Sequence, residues 1–208
     1  MEQATNLAIT ISRQLGSGGS YVGQQLAKKI GLFYADREII STVAKDLQLV
    51  EADLESQDEK RTSFWQSTFQ AFAAMTPDFS MSPKIMSPTG RELYELESEV
   101  IRRIVNERPA VIIGRCGSHV LRDFANHVSI FLHADITFRQ NRIQELHNVP
   151  AEVAMRMIAQ SDRDRSQYTF AFTGSEWTDA RKFDMSFDSG RVGLDRIVTL
   201  VVDYLKSR

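Results

Sequence analysis

The first stretch of this chain whose residue types suggest chemistry is a glycine-rich run, GSGGS, at residues 16–20. An uncharged segment rich in β-branched residues, 7–12, precedes it and predicts a buried strand, and Val22, Leu26 and Ile30 follow it at helical spacing. A glycine-rich turn between a strand and a helix lets main-chain N–H groups surround a phosphate at the positive end of the helix dipole. The stretch therefore predicts a phosphate-binding loop, and the alternative is a turn that binds no phosphate.

The lysine that usually completes such a loop is missing. The spacing is close to G-x-x-x-x-G-K-[ST], in which a lysine reaches the β- and γ-phosphates. If Gly18 is the second glycine and Ser20 the final hydroxyl, Gly19 replaces the lysine and Arg13 replaces the first glycine. Because Arg13 directly follows the predicted strand, we expect its guanidinium to supply the missing charge.

Arginines elsewhere form a second group of candidate residues. Arg115 directly follows an apolar segment, 110–114, so it lies at the C-terminal end of a predicted strand, where open α/β sheets bind ligands. Residues 137–167 predict two helices that meet at 147–150, and this hairpin carries Arg139, Arg142, Arg156, Arg163 and Arg165. Salt bridges to neighbouring acids are the structural interpretation of each one. Together they favour a lid, because a phosphoryl group in transfer needs cationic donors that exclude water.

Strand-like and helix-like segments alternate along the chain. Strands are predicted at 7–12, 32–34, 110–114, 128–133 and 183–187, with helices that include 91–107 and 194–205. This alternation predicts an α/β fold in which helices cover both faces of a parallel sheet.

Local signals place a few more residues in this framework. Gly31 predicts the end of the first helix and Asp36 the N-cap of the next, which extends to about Leu47. Ser189 and Gly190 follow the last strand and can line a ligand site. The aromatic stretch 168–177 predicts an irregular segment with a turn at Gly174.

Composition limits the classes of protein to consider. The net charge of the 208 residues is -2 and the isoelectric point is about 6.1, which argues against generic nucleic-acid binding. The single cysteine, Cys116, permits no internal disulfide. The N-terminus lacks the pattern of a signal peptide, and no apolar run approaches the roughly 20 residues of a membrane span. We therefore expect a cytoplasmic protein with no membrane partner.

An apolar stripe in the middle of the chain must pack against another surface to be shielded from water. Trp65, Phe69 and Phe72 fall on one face if residues 62–75 are helical, so they predict either a part of the core or the interface of a homodimer. Residues 76–90 contain three of the five prolines and predict a mobile loop.

Six segments in this order resemble the cytidylate kinase-like family of P-loop kinases over almost the whole chain. They are ISRQLGSGG at 11–19, FYADREII at 33–40, VIIGRCGSHVLRD at 111–123, IFLHAD at 130–135, SDRDRSQY at 161–168 and FDMSFDSGRVGLD at 183–195. The resemblance implies a P-loop NTPase-type three-layer sandwich, in which a five-stranded parallel sheet carries a helical lid and a monophosphate-binding region. It implies one domain over 1–208, with the lid at about 137–167 and an acceptor-binding insertion at about 36–90.

The resemblance also implies ATP as the phosphoryl donor, Mg²⁺ as its cofactor and a small nucleotide as the substrate. The residues expected to bind the phosphoryl donor are Gly16, Ser17, Gly18, Gly19, Ser20, Ser189 and Gly190. Ser20 is also the expected metal ligand. Acceptor binding falls to Asp36, Arg37, Arg91, Arg115 and Asp164. Arg13, Arg163 and Arg165 are the implied catalytic cations.

The lid segment departs from the family pattern. Cytidylate kinases look like R-D-x-x-D-x-x-R there, whereas this chain has Gln160, Ser161 and Gln167 at the flanking positions. The first hypothesis is therefore a phosphotransferase that moves the γ-phosphoryl group of ATP to a small acceptor such as CMP. One alternative is a nucleotide-binding sensor that has lost turnover, and another is a kinase for a non-nucleotide small molecule.

Overall fold

The computed structural model describes residues 6–44 and 90–208. Its sheet has five parallel strands in the order β2-β3-β1-β4-β5. The strands are β1 (Ala8–Arg13), β2 (Phe33–Ala35), β3 (Ala110–Ile113), β4 (His127–His133) and β5 (Met185–Asp188). The predicted α/β fold with a five-stranded parallel sheet is confirmed.

Helices connect the strands. In the described residues they are α1 (Gly19–Ile30), α2 (residues 37–44), α3 (Gly90–Glu107), α4 (Gly117–Val120), α5 (Ile136–His147), α6 (Ala151–Thr173), α7 (Ser189–Val192) and α8 (Leu194–Lys206). A 3₁₀ turn covers Ala180–Lys182. No helix among these residues is both long enough and apolar enough to cross a membrane.

Helices pack on both faces of the sheet, and successive strand residues contact opposite layers because their side chains alternate. Ile113 of β3 packs with Leu26 of α1 and Val201 of α8 in one apolar cluster. Its neighbour Ile112 packs with Ile101 of α3 in the other cluster. This division makes the three layers that the sequence predicts, and it leaves the C-terminal ends of the strands free to carry polar residues.

The aromatic segment after the predicted lid differs from our expectation. Residues 168–173 are not irregular but continue α6, which ends only at Gly174. Gly174 has a φ of 65°, and its N–H donates to the carbonyl of Phe170, so the first residue suited to a left-handed cap ends the helix. The predicted lid thus corresponds to α5 and α6, and α6 reaches six residues farther than predicted.

Most of the predicted acceptor-binding insertion, the aromatic stripe with its homodimer interpretation and the proline-rich loop lie outside the described residues.

Candidate functional site

The glycine loop between β1 and α1 adopts a backbone conformation that glycine allows and most other residues do not. Gly16 and Gly18 both have a φ of 83°, in the left-handed region. A Cβ on Gly16 would lie 2.7 Å from the carbonyl oxygen of Arg139, so α5 packs directly on the loop. The buried Ser17 hydroxyl lies 2.8 Å from the carbonyl oxygen of Gln14 and 3.0 Å from that of Leu132, and these contacts secure the loop to β4. The loop backbone therefore has the form that could surround a phosphate, and a larger side chain at Gly16 would fill this space.

Arg13, at the end of β1, crosses from this loop to the end of β3. A Cβ on Gly19 would lie 2.5 Å from Arg13 Cγ, and a Cβ on Gly114 would lie 2.0 Å from Arg13 Nη1. The aliphatic part of the side chain therefore packs on the first residue of α1, while its guanidinium lies against the turn after β3. Arg13 thus connects the glycine loop with the turn that carries Arg115.

Arg165 brings a second guanidinium to this place from α6. Its Nη1 donates to the main-chain carbonyl of Arg13 at 3.1 Å. Burial, followed by repulsion from Arg165, lowers the pKa of Arg13 to about 10, and burial likewise lowers the pKa of Arg165. Among the described residues, neither guanidinium forms an ion pair with a carboxylate. Two partly buried cations, neither paired with a carboxylate in the described part of the chain, favour the binding of an anion here.

The turn after β3 holds Arg115 by a different arrangement. Gly114, Arg115 and Cys116 have φ values of 75°, 52° and 53°, so two non-glycine residues in succession adopt the left-handed conformation. The Arg115 guanidinium forms an ion pair with Glu97 of α3 and lies 4.6 Å from the ring centroid of Tyr168. Its Nε is buried and has no hydrogen-bond partner among the described residues. Arg115 is therefore oriented by the protein and keeps one unused donor.

A cavity of about 1280 Å³ opens beside these arginines, between the C-terminal ends of β1 and β3 and the lid helix α6. The cations that line it outnumber the acids: Arg13, Arg37, Arg115, Arg122, Arg156, Arg165 and Lys182 face only Asp164 and Glu176 among the described residues. The volume suits a molecule of nucleotide size, and the excess of positive charge suits an anionic one.

The structure brings together some of the predicted site residues but not others. Arg13, Arg37, Arg115, Asp164 and Arg165 line the one cavity. By contrast, Arg163 is exposed and donates to Gln160 at 2.8 Å, and Arg91 is exposed in the first turn of α3. The buried Ser189 hydroxyl donates to the carbonyl of His133, and the Gly190 N–H donates to Asp188, so both groups are used within the fold.

Asp36 and Asp164 carry local hydrogen bonds. Oδ1 of Asp36 accepts from the main-chain N–H groups of Glu38 and Ile39, at 3.0 Å and 3.2 Å, which is the N-cap predicted for α2. The carboxylate of Asp164 accepts from the Gln160 side chain at 2.6 Å. Asp36 therefore sets where α2 begins, and this places the neighbouring Arg37 at the cavity.

Arg139 joins the lid to the glycine loop. The residue is 4% exposed, its Nε donates to the carbonyl of Leu15 at 2.7 Å, and its Nη2 pairs with Asp162 at 2.6 Å. These bonds tie α5 to the loop and α5 to α6 at the same time. Arg139 therefore helps to fix the position of the glycine loop relative to the predicted lid.

We expect Arg139→Leu to lower the free energy of unfolding by about 2–3 kcal/mol, because it leaves Asp162 without its partner and the Leu15 carbonyl without a donor. The matched control is Arg156→Leu, which removes an exposed pair with Glu152 on α6 and should change stability by less than about 0.5 kcal/mol. Urea unfolding of both variants measures the difference. Equal effects would show that Arg139 does not join loop and lid.

Sequence reasoning missed the residues that hold the candidate site in place. Glu97 gives no signal in the sequence, since it looks like one of several acids on an amphipathic helix, yet its exposed fraction is 1%. Arg139 and Arg142 were visible only as members of an arginine-rich hairpin. Arg142 Nε is buried without a hydrogen-bond partner in the described part of the chain, and its charge acts on Tyr21 in the first turn of α1. Arg142 is thus a further cation beside the glycine loop.

Comparisons with known proteins agree with this geometry. The sequence model of the cytidylate kinase-like family matches residues 8–191. A cytidylate kinase of Saccharolobus islandicus is 23% identical over 112 residues, which cover 54% of this chain and 59% of that protein. The match therefore spans less than two thirds of the length of this curated relative.

Two solved structures show the same fold. An uncharacterized protein from Eubacterium ventriosum superposes with a TM-score of 0.73 at 24% identity and covers 98% of this chain and 100% of its own. A shikimate kinase from Bacteroides thetaiotaomicron superposes with a TM-score of 0.51 at 12% identity, covering 96% of this chain and 98% of its own.

Proposed function

This chain belongs to the cytidylate kinase-like family, and on that premise we propose that it transfers the γ-phosphoryl group of ATP to a small acceptor that carries a phosphate, with CMP as the first candidate. Its family and fold are those of P-loop kinases that act on nucleotides or small molecules. This chemistry needs no covalent intermediate, because positioning and electrostatic stabilisation account for most of it.

One observation carries the proposal: Arg13 and Arg165 lie side by side, both partly buried, and neither forms an ion pair with a carboxylate among the described residues. Two adjacent like charges that are partly withdrawn from water repel each other, so a bound anion would stabilise this arrangement. A phosphoryl group in transfer is such an anion, and its charge is spread over oxygens that guanidinium groups can bind in pairs.

The position of Arg13 supports a site with two sides. On one side is the glycine loop at the N-terminus of α1, which suits the triphosphate of the donor. On the other is the cationic cavity, which suits the acceptor. Because Arg13 contacts Gly19 and Gly114, its charge acts on both sides. We therefore assign to Arg13 the role that the loop lysine has in related kinases.

The residues present also fit a magnesium ion that arrives with ATP. Ser20 is exposed in the first turn of α1, where its hydroxyl can reach an ion bound to the phosphates. Among the described residues, no group of three or more His, Cys, Asp or Glu side chains could enclose an ion, so phosphate oxygens and water would supply the other ligands. When bound, the ion neutralises charge on the transferring group.

Two arginines of α6, Arg163 and Arg165, allow a test of whether the predicted lid contributes to turnover. Arg165→Ala should lower kcat by about tenfold, since it removes a charged hydrogen-bond donor from the cavity. Arg163→Ala is the control, because Arg163 is exposed and bonded to Gln160, and its kcat should stay within about twofold of the original protein. Steady-state rates at saturating ATP decide this, and equal losses in the two variants would remove Arg165 from the site.

The function itself is tested by measuring ATP consumption against a panel of nucleoside monophosphates, nucleosides and small hydroxy acids. We expect turnover with at least one nucleoside monophosphate and CMP among the preferred acceptors. Turnover only with an unphosphorylated acceptor would overturn the acceptor class. ATP binding without turnover on any acceptor would favour the nucleotide-sensing alternative.

A further inference from the structure

A single buried carboxylate, that of Glu97, connects four elements around the cavity. Glu97 lies on the buried face of α3, beside the apolar Val100 and Ile101. A buried charge in such a place is very unfavourable unless other groups neutralise it and donate to it. The hydrogen-bond and ion-pair partners of Glu97 should therefore indicate the role of this carboxylate.

The partners of Glu97 among the described residues all belong to other elements. Its Oε1 accepts from the Ser41 hydroxyl of α2 at 2.6 Å. Its Oε2 accepts from Arg115 in the turn after β3, and from the Tyr168 hydroxyl of α6 at 3.1 Å. The Tyr168 ring also covers the Arg115 guanidinium, with the ring centroid 4.6 Å from Cζ. Arg115 is therefore held from the side by a carboxylate and across its plane by an aromatic ring.

The same contacts connect the lid with the acceptor side of the cavity. Near its beginning, α6 packs on α5 through Ala154 and Ile158. Near its end, Tyr168 and Phe172 form an aromatic cluster with Tyr94 of α3, and the Tyr94 and Phe172 rings stack at 4.4 Å. Beside this aromatic cluster, the Tyr168 hydroxyl donates to Glu97.

We propose that Glu97 is a positioning residue for the acceptor: it fixes the Arg115 guanidinium at the wall of the cavity in an orientation that can bind an acceptor phosphate, and through Tyr168 it ties this orientation to the lid helix. The inference rests on the proposed function, since it takes the acceptor phosphate as the ligand of Arg115. Fixing the guanidinium in advance lowers the entropic cost of binding an anion.

If only charge mattered, removing Glu97 would strengthen the binding of phosphate, whereas loss of the positioning role would weaken it. The two explanations therefore predict opposite changes in affinity. Removing the negative charge of Glu97 leaves the site more positive, which by itself would tighten the binding of an anion. Loss of orientation weakens binding instead. For Glu97→Gln we expect the KM of the acceptor to rise about tenfold and kcat and the KM of ATP to stay within about twofold, since the lost interaction orients a charged group.

Tyr168→Phe keeps the ring over Arg115 and removes only the hydroxyl. It therefore tests the positioning role even if Glu97→Gln folds poorly. We expect about a threefold rise in the KM of the acceptor, and a combined effect with Glu97→Gln smaller than the product of the two, because both residues act on the orientation of the same Arg115 guanidinium. The controls are Glu95→Gln, an exposed acid on the same helix, and Tyr94→Phe, a hydroxyl of the same aromatic cluster.

A binding measurement separates this inference from the proposed function. Inorganic phosphate is titrated calorimetrically in the presence of saturating AMP-PNP, whose triphosphate is expected to occupy the glycine loop. Weaker phosphate binding in Glu97→Gln and Tyr168→Phe, with unchanged binding in both controls, supports the positioning role even if the original protein phosphorylates no acceptor. Unchanged or tighter binding in these variants, or no phosphate binding by the original protein, overturns it even if turnover is observed.

Discussion

Replacing Arg13 by methionine is expected to lower kcat by about 10²–10³-fold, which is the loss typical of removing one group that stabilises the transition state. Thermal stability should stay the same or rise. The two effects have one cause. Burial and the nearby Arg165 make the charged guanidinium unfavourable in the folded protein, which is why the pKa of Arg13 falls to about 10. Methionine keeps much of the chain that packs on Gly19 and removes the buried charge, so it relieves the folded state and removes the cation that binds phosphate.

The measurement combines thermal unfolding with kcat at saturating ATP and acceptor, and Arg163→Met provides the control at an exposed position. If Arg13→Met lost stability and activity together, in proportion to the fraction unfolded, Arg13 would be a structural residue. Normal turnover in a well-folded variant would remove Arg13 from the chemistry.

The pH dependence of stability has a definite sign. The pKa of Arg13 is lowered in the folded state, so the unfolded chain binds more protons in the interval between about 10 and the ordinary value. The contribution of Arg13 to the free energy of unfolding therefore rises with pH through this interval, and below it the buried charge destabilises the fold. Arg13→Met should lack this rise. Anions should raise the melting temperature of the original protein more than that of the variant.

Replacing Gly114 by alanine should lower kcat by about 100-fold, although Gly114 is a glycine in a turn and reacts with nothing. The new Cβ would lie 2.0 Å from Arg13 Nη1, so the guanidinium would have to move by more than an ångström. A displacement of this size in a group that positions the reacting phosphate costs about two orders of magnitude in rate. Steady-state kinetics on the purified variant test this.

Gly31→Ala separates that clash from backbone strain. Gly31 has a φ of 69°, close to the 75° of Gly114, but a Cβ there would meet nothing within 4 Å. Both variants should lose about 1 kcal/mol of stability because alanine is strained at positive φ. Only Gly114→Ala should lose activity. If Gly31→Ala lost as much turnover, strain rather than displacement of Arg13 would explain the result.

Local patterns were sufficient to predict much of the framework. The apolar run before residue 13, the glycines after it and the helical spacing that follows act within about twenty residues, and the loop is where they predict it. Gly31 ends α1 and Asp36 caps α2, because such signals are carried by one or two side chains and the adjacent backbone. The error at residues 168–173 arose because aromatic content was given more weight than the absence of a helix-ending residue before Gly174.

The sequence by itself determined that the protein has a parallel sheet, a glycine loop after its first strand and several arginines that could surround this loop, since hydrophobic periodicity and turn chemistry are local. Only the tertiary structure decided which arginines matter. Arg163 and Arg165 are equivalent in sequence, yet a two-residue offset on α6 turns one to solvent and the other toward Arg13. Glu97 and Arg115 meet because α3 packs beside the turn after β3. Such pairings depend on how the elements pack, and no local pattern encodes them.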